Sequence, residues 1–218
     1  MKVYYGGEDT VTKLIAKRLI QHAARLEKLE VTELEDANLR DYGTRALEKL
    51  NQMIRLSAFA PLVCVFDSDS ECVVELLKKY VPEKEQGQKG WKGPRLAVNI
   101  AIDEGETWLM ADRAGFAAFF ALDEERIPRK ADQERELSLS IPYKTSGYFL
   151  NSIAPYSRKR TVVEMFAVRT PGRKPPTYNN LWPDYIANHW NIERACGNSE
   201  SLSRAVARVR TALREGER

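Results

Sequence analysis

The chain has 218 residues, 43% hydrophobic and 30% charged, with a net charge of +3. That is an ordinary globular balance: one large domain, or one domain with a smaller cap, with a core that needs no covalent staples. No apolar run approaches the roughly 20 residues needed to span a bilayer, and the only histidines, His22 and His189, exclude a histidine-rich metal site.

The first residues, MKVYYGGEDT, have no apolar leader and read directly into folded structure, so a cytoplasmic protein is expected. A Ser-His-Asp arrangement is open only through His189. Cys64, Cys72 and Cys196 lack metal-ligand spacing and read as small core residues in a reducing compartment. Charge is unevenly placed. Residues 1–122 carry 17 Lys and Arg against 19 Asp and Glu, and residues 123–218 carry 17 against 12. An acidic half joined to a basic half suits a metal site facing a phosphate-rich partner, and equally suits a solvated arginine-rich helical surface.

In chain order, KVYY at 2–5 is a β-prone run ending at Gly6-Gly7. A helix follows, capped by Asp9 or Thr10, with Val11, Ile15, Leu19, His22 and Leu26 on one stripe. LEVTEL at 29–34 alternates like a strand, and 44–57 carries a helical stripe of Ala46, Leu47, Leu50, Met53 and Ile54. After Pro61, LVCVF is a continuous apolar strand of the kind found where both faces of a sheet are covered. A helix with Val73, Leu76, Leu77 and Tyr80 follows, then a polar loop at 82–94. RLAVNIAI at 95–102 is a fourth strand, followed by a helix with Trp108, Leu109, Ala111, Phe116 and Phe119. This βαβαβαβα order predicts an α/β fold: a mostly parallel four-stranded sheet with helices on both faces. Periodicity weakens after residue 122. A mixed, basic C-terminal region over 123–218, packed on the 1–122 core, ends in a helix capped by Ser199 or Ser201. There Leu202, Ala205, Val206, Val209 and Leu213 oppose Arg204, Arg208, Arg210 and Arg214.

Carboxylates follow three of the strands, where open α/β sheets bind ligands. Asp67-Ser68-Asp69 ends the buried strand, and alternate residues of an extended segment point the same way, so both acids can address one cation. Hard oxygen donors of this kind suit Mg²⁺ or Mn²⁺. Glu8 lies in the first turn, and Glu104 and Glu106 follow the fourth strand. Each group has an alternative reading as the acidic start of a helix. Three acidic groups at one sheet edge repel one another, and a shared metal accounts for them jointly.

With these residues in place the chain resembles the Toprim fold, in which a glutamate follows the first strand and an Asp-x-Asp follows the third; the matching positions here are Glu8 and Asp67/Asp69. The usual Toprim turn is Glu-Gly, whereas here Gly6 holds the glutamate's place and Glu8 comes two residues later. EGETWLMAD at 104–112 looks like the Glu-x-Trp-Leu-x-Ala-Asp motif of a Toprim-like bacterial family often encoded beside ATPases, some of them implicated in phage defence. The stretch from YNNLW to SESLSRAVARV, 178–209, is similar to that family's tail.

The resemblance implies a Toprim-like core and a divalent-metal-dependent nuclease acting on DNA or RNA, a defence effector working with an ATPase partner. It implies Glu8, Asp67 and Asp69 as primary ligands of Mg or Mn. Glu104 and Glu106 would then be further ligands or a general base. Lys144, Arg158, Lys159, Arg160, Arg173 and Lys174 are candidates for nucleic-acid phosphate contacts. Tyr143, Tyr148, Tyr178 and Trp182 would stack on bases or anchor a core. Two other classes stay open: a non-catalytic scaffold that binds a partner, and a Mn-dependent nucleotide-sugar transferase, which leaves Glu8 and Glu104/Glu106 unexplained. A homo-oligomer is compatible with the sequence.

Overall fold

The computed structural model describes residues 1–35, 57–69, 71–80, 95–128, 145–165 and 174–218. The helix expected over 44–57 lies almost wholly outside the described residues, as do the loop at 82–94, Tyr143, Lys144 and Arg173.

Four strands form one parallel sheet: β1 (Lys2–Gly7), β2 (Thr32–Glu35), β3 (Leu62–Asp67) and β4 (Leu96–Ala101), in the order β2-β1-β3-β4. β1 pairs with β2 from Lys2↔Thr32 and with β3 from Tyr4↔Leu62, and β3 pairs with β4 from Leu62↔Leu96. The period of two sorts the side chains into two layers. Val3, Tyr5, Val63, Val65, Ala97 and Ala101 belong to the main core cluster. Leu62, Cys64, Phe66, Val98 and Ile100 are also buried, on the other face of the sheet. Both layers being apolar explains why β3 reads as an unbroken hydrophobic run.

Helix α1 (Thr10–Glu27) starts at Asp9, whose carboxylate accepts from Thr12 N at 2.8 Å while Thr12 Oγ1 accepts from Asp9 N at 3.0 Å, a reciprocal capping box. The connection β1-α1-β2 steps to one side of β1, and β3-α2-β4, with α2 spanning Val73–Tyr80, steps to the other side of β3. Right-handed crossovers therefore put α1 and α2 on opposite faces. The order reverses between β1 and β3, making their carboxyl ends the switch point of the sheet.

The single helix expected after β4 is two helices, α3 (Gly105–Ala111) and α4 (Arg113–Phe120). The break is at Asp112, which leaves the helical region at φ −80°, ψ 65° and caps Gly115 N. Its fully buried carboxylate also takes Asn191 N at 2.7 Å and Arg194 Nε at 2.7 Å. A Cβ at Gly115 would overlap both Asp112 and Arg194, so glycine is required beside this pair.

Beyond residue 122 the described chain is helical: α5 (Thr145–Tyr148) running into a π-turn at Phe149–Ile153, α6 (Arg160–Met165), α7 (Trp182–Asp184), α8 (Ile192–Cys196) and α9 (Glu200–Glu217). Its apolar residues join those of β1, β3 and α1 in one cluster. Phe116, Phe120, Phe149, Tyr178, Trp182 and Tyr185 form the aromatic part, with Phe116–Phe120 centroids 4.6 Å and Phe149–Trp182 centroids 5.4 Å apart. Tyr178 and Trp182 are thus core anchors and have no face free for a base. Ser199 caps α9, as its sequence indicated. Cys64 is buried, but Cys72 is exposed rather than in the core.

The Asp112 junction yields a stability test. Asp112→Ala leaves Asn191 N, Gly115 N and the half-exposed Arg194 without their buried acceptor, and should cost about 3 kcal/mol. The urea midpoint should fall with the slope unchanged. A loss under about 1 kcal/mol would show that water replaces the carboxylate at little cost.

Candidate functional site at the switch point

Glu8 follows β1 and Asp67 ends β3, so the two acids face each other across the switch point. Glu8 Oε1 accepts from Asp67 N at 2.6 Å, and Asp67 Oδ1 accepts from Gly105 N at 2.8 Å. Asp67 therefore supplies an acceptor to the first turn of α3 from another strand. Gly7 serves close packing at this turn: a Cβ there would lie 2.5 Å from Lys13 N, so what approaches the glycine backbone is the chain's own helix α1.

The ends of β3 and β4 are cross-braced. Ser68 N donates to Ala101 O, Asp103 N donates to Ser68 Oγ at 2.7 Å, and Asp69 N donates to Asp103 O at 3.0 Å. Asp69 and Asp103 adopt left-handed φ of 47° and 63°, which aspartate accepts more readily than most residues. Asp69 is exposed, and its charge acts on Glu8.

Asp103, Glu104 and Glu106 reach the C-terminal region. Asp103 Oδ2 accepts from Thr145 N at 2.6 Å and from Thr145 Oγ1, and Glu104 Oε2 accepts from Ser146 N at 2.6 Å. These two carboxylates satisfy the first N–H groups of α5. Glu106 Oε1 accepts from Tyr178 Oη at 2.7 Å. Lys174 Nζ lies 3.1 Å from Glu104 Oε1 and 3.6 Å from Glu106 Oε1. The carboxylate side chains are 4% and 2% exposed, the lysine 38%.

The proton affinities follow. Burial pushes the Asp67 carboxyl well above its ordinary range, and the charges of Glu106, Glu8, Asp9 and Glu104 push it the same way. Burial raises Glu8; the Asp67 N–H bond opposes that, and Asp69 and Asp9 add to it. Burial pushes Glu106 to about 7, against the pull of Lys174 and with the push of Glu104 and Asp9. For Lys174, burial acts downward, but Glu106 and Glu104 outweigh it and the net direction is up.

Glu8, Asp67, Glu104 and Glu106 are thus drawn into one electrostatic unit, with Asp69 at its exposed edge. Their helix-start reading holds only in part. Asp9 is the cap of α1, whereas Glu104 stands at the cap position of α3 and makes no side-chain cap bond there. The donor chemistry fits a hard divalent cation: all oxygens, with three carboxyls raised by burial and mutual repulsion. Among the described residues, however, no three His, Cys, Asp or Glu side chains are disposed to hold an ion as they stand. Glu104 and Glu106 are engaged by Lys174, Ser146 and Tyr178 instead.

Among the described residues, the other basic candidates Arg158, Lys159 and Arg160 make their contacts elsewhere. Arg158 pairs with Asp123, Arg160 Nε with Glu164 at 2.6 Å, and Lys159 Nζ donates to Phe119 O. Arg210 and Arg214 both pair with Glu27 of α1, and Arg204 pairs with Glu200. His189 sits 3.7 Å from Asp184 in a separate cavity of about 420 Å³, with no serine among the described residues that line it. The sequence places Asp103 in the acidic cluster after the fourth strand but gives it no role, and it does not reveal Thr145, Ser146 or the Tyr178–Glu106 bond. It named Lys174 only as a phosphate contact.

Compared with family models, curated proteins and solved structures, the chain matches none. No helix among the described residues is long and apolar enough to cross a membrane.

The raised carboxyls set a pH dependence. Glu106 binds its proton more tightly folded, at about 7, than at its ordinary 4.5. Between those values the folded state holds more protons than the unfolded one, so stability falls as pH rises from about 4.5 to 7. Glu106→Gln should flatten this fall in urea melts taken every half pH unit. An identical slope in both proteins would mean that Glu106 does not titrate in this window.

Proposed function

We propose that the chain is a divalent-metal-dependent nuclease that hydrolyses phosphodiester bonds of DNA or RNA on a Toprim-like core. The observation that carries this reading is the Glu8–Asp67 pair: two carboxyls with raised proton affinity, joined across the switch point where open parallel sheets bind ligands. Glu8, Asp67 and Asp69 would hold Mg²⁺ or Mn²⁺, with Glu106, whose charge acts on Asp67, a further donor. A cation held by these residues would neutralise charge developing on phosphate oxygens and would lower the pKa of a water it bound.

The chain's own groups have definable tasks. The Asp67 N–H orients the Glu8 carboxylate, and the Gly105 N–H orients that of Asp67. The brace from Ser68 to Asp103 fixes the β3 end, and with it Asp67, against β4. Glu106, pushed to about 7, can take up or give a proton near neutral pH. Action as a defence effector beside an ATPase partner is supported by the resemblance of EGETWLMAD at 104–112.

A second reading has its own observation. Asp103, Glu104 and Glu106 tie the C-terminal region to the core, which a non-catalytic scaffold also requires.

The two readings separate in a cleavage assay on single- and double-stranded DNA and RNA with Mg²⁺ or Mn²⁺. The nuclease reading expects metal-dependent cleavage that Asp67→Asn lowers by about 100-fold or more, with fold and melting temperature retained. Cleavage that survives the substitution removes Asp67 from the chemistry. Absence of cleavage on every substrate, with no metal-induced stabilisation, favours the scaffold.

A further inference from the structure

We propose that the cavity between α4, the π-turn at Tyr185–His189 and α8 is a binding site for a small organic phosphate monoester, held by Arg194, Lys159 and His189. Its described lining shares no residue with the switch point, so the inference does not rest on the metal reading.

Small residues open the space. Gly115, Ala118 and Phe119 fall at i, i+3 and i+4 of α4 and line the cavity together. Its volume of about 420 Å³ lies inside the roughly 300–1,000 Å³ of small-molecule sites. A Cβ at Gly115 would lie 2.8 Å from Arg194 Nη2, so the glycine also lets the guanidinium lie close over the helix. Phe119 ties in the other two basic groups: its ring centroid is 4.9 Å from that of His189 and 4.8 Å from Lys159 Nζ.

The lining offers donors, while its carboxylate is already engaged. Asp184 is the one acid among the described lining residues; its Oδ1 accepts from Asn188 Nδ2 at 2.8 Å and its Oδ2 faces His189 Nε2 at 3.7 Å. Arg194 grips the buried Asp112 through Nε at 2.7 Å and Nη2 at 3.2 Å. That two-pronged hold fixes the guanidinium, and its Nη1 makes no hydrogen bond to a described residue. Lys159 gives one of its three N–H groups to Phe119 O. All three basic residues are exposed and open to a ligand from solvent. Three donor groups at one cavity match the three terminal oxygens of a phosphate monoester, where a carboxylate has two. The volume leaves room for an organic group beside the phosphate, against Gly115 and Ala118.

The test uses the full chain in metal-free buffer, with AMP and glycerol phosphate as probes and glycerate as the carboxylate control. His189 and His22 are the only histidines, and His22 is buried elsewhere, on α1, so its ring signals serve as an internal reference. Proton NMR should show the His189 ring resonances moving saturably with at least one of the two esters while those of His22 stay. Calorimetry should show Lys159→Met and His189→Asn each weakening that ester by about tenfold, with glycerate binding more weakly than the ester. The NMR arm needs only the wild type, so the proposal stays testable if a variant fails to fold. His189 resonances that neither ester moves, an affinity unchanged in both folded variants, or glycerate binding as tightly as the ester overturns it, and none of these outcomes touches the metal reading.

Discussion

Four carboxylates at one edge of a parallel sheet must be held close, out of water and against their mutual repulsion. Two such charges about 4 Å apart repel by about 4 kcal/mol at the effective dielectric of a protein site. The chain meets this with donors arranged around the cluster. Backbone N–H groups of Asp67, Gly105 and Ser146, the Tyr178 hydroxyl and the Lys174 ammonium each face an acid. Three of those five donors come from the C-terminal region. The acids are therefore a docking surface as well as a candidate site, and the described residues beyond 122 are bound to the core both by these polar contacts and by the aromatic cluster, with Tyr178 in both.

The uneven charge along the chain has a similar internal origin. Much of the basic excess after residue 122 faces acids of its own chain: Arg194 on buried Asp112, Arg210 and Arg214 on Glu27, Arg158 on Asp123. Burial acts to lower the proton affinity of Arg208, which reaches toward Asn99 of β4. A count of arginines on a helical wheel does not distinguish these pairs from a phosphate-binding face. Net charge speaks to partners only after the internal pairs are known.

The sheet was legible because its signals are local. Apolar runs of strand length, the Gly6-Gly7 turn and the Asp9 cap lie within a few residues of what they specify, and the strand ends fall within three residues of expectation. Glu8, Asp67 and Glu106 were legible as a group because strand ends in a βαβ order share an edge. The break at Asp112 was not, because Trp108, Leu109, Phe116 and Phe119 keep one helical stripe across it, and the reason for the break lies 82 residues away in Arg194. Lys174 and Tyr178 were hidden for the same reason: their partners are Glu104 and Glu106, about 70 residues upstream. Asp103 carried a left-handed backbone and two donors from Thr145 that no periodicity reports.

The metal reading requires Glu8 and Asp67 to form a cation site across the β1–β3 switch point. The most direct measurement is anomalous diffraction from crystals soaked in Mn²⁺. A peak within coordination distance of both carboxylates is the predicted result. A peak elsewhere, or none at Mn²⁺ concentrations that saturate binding in solution, would contradict it.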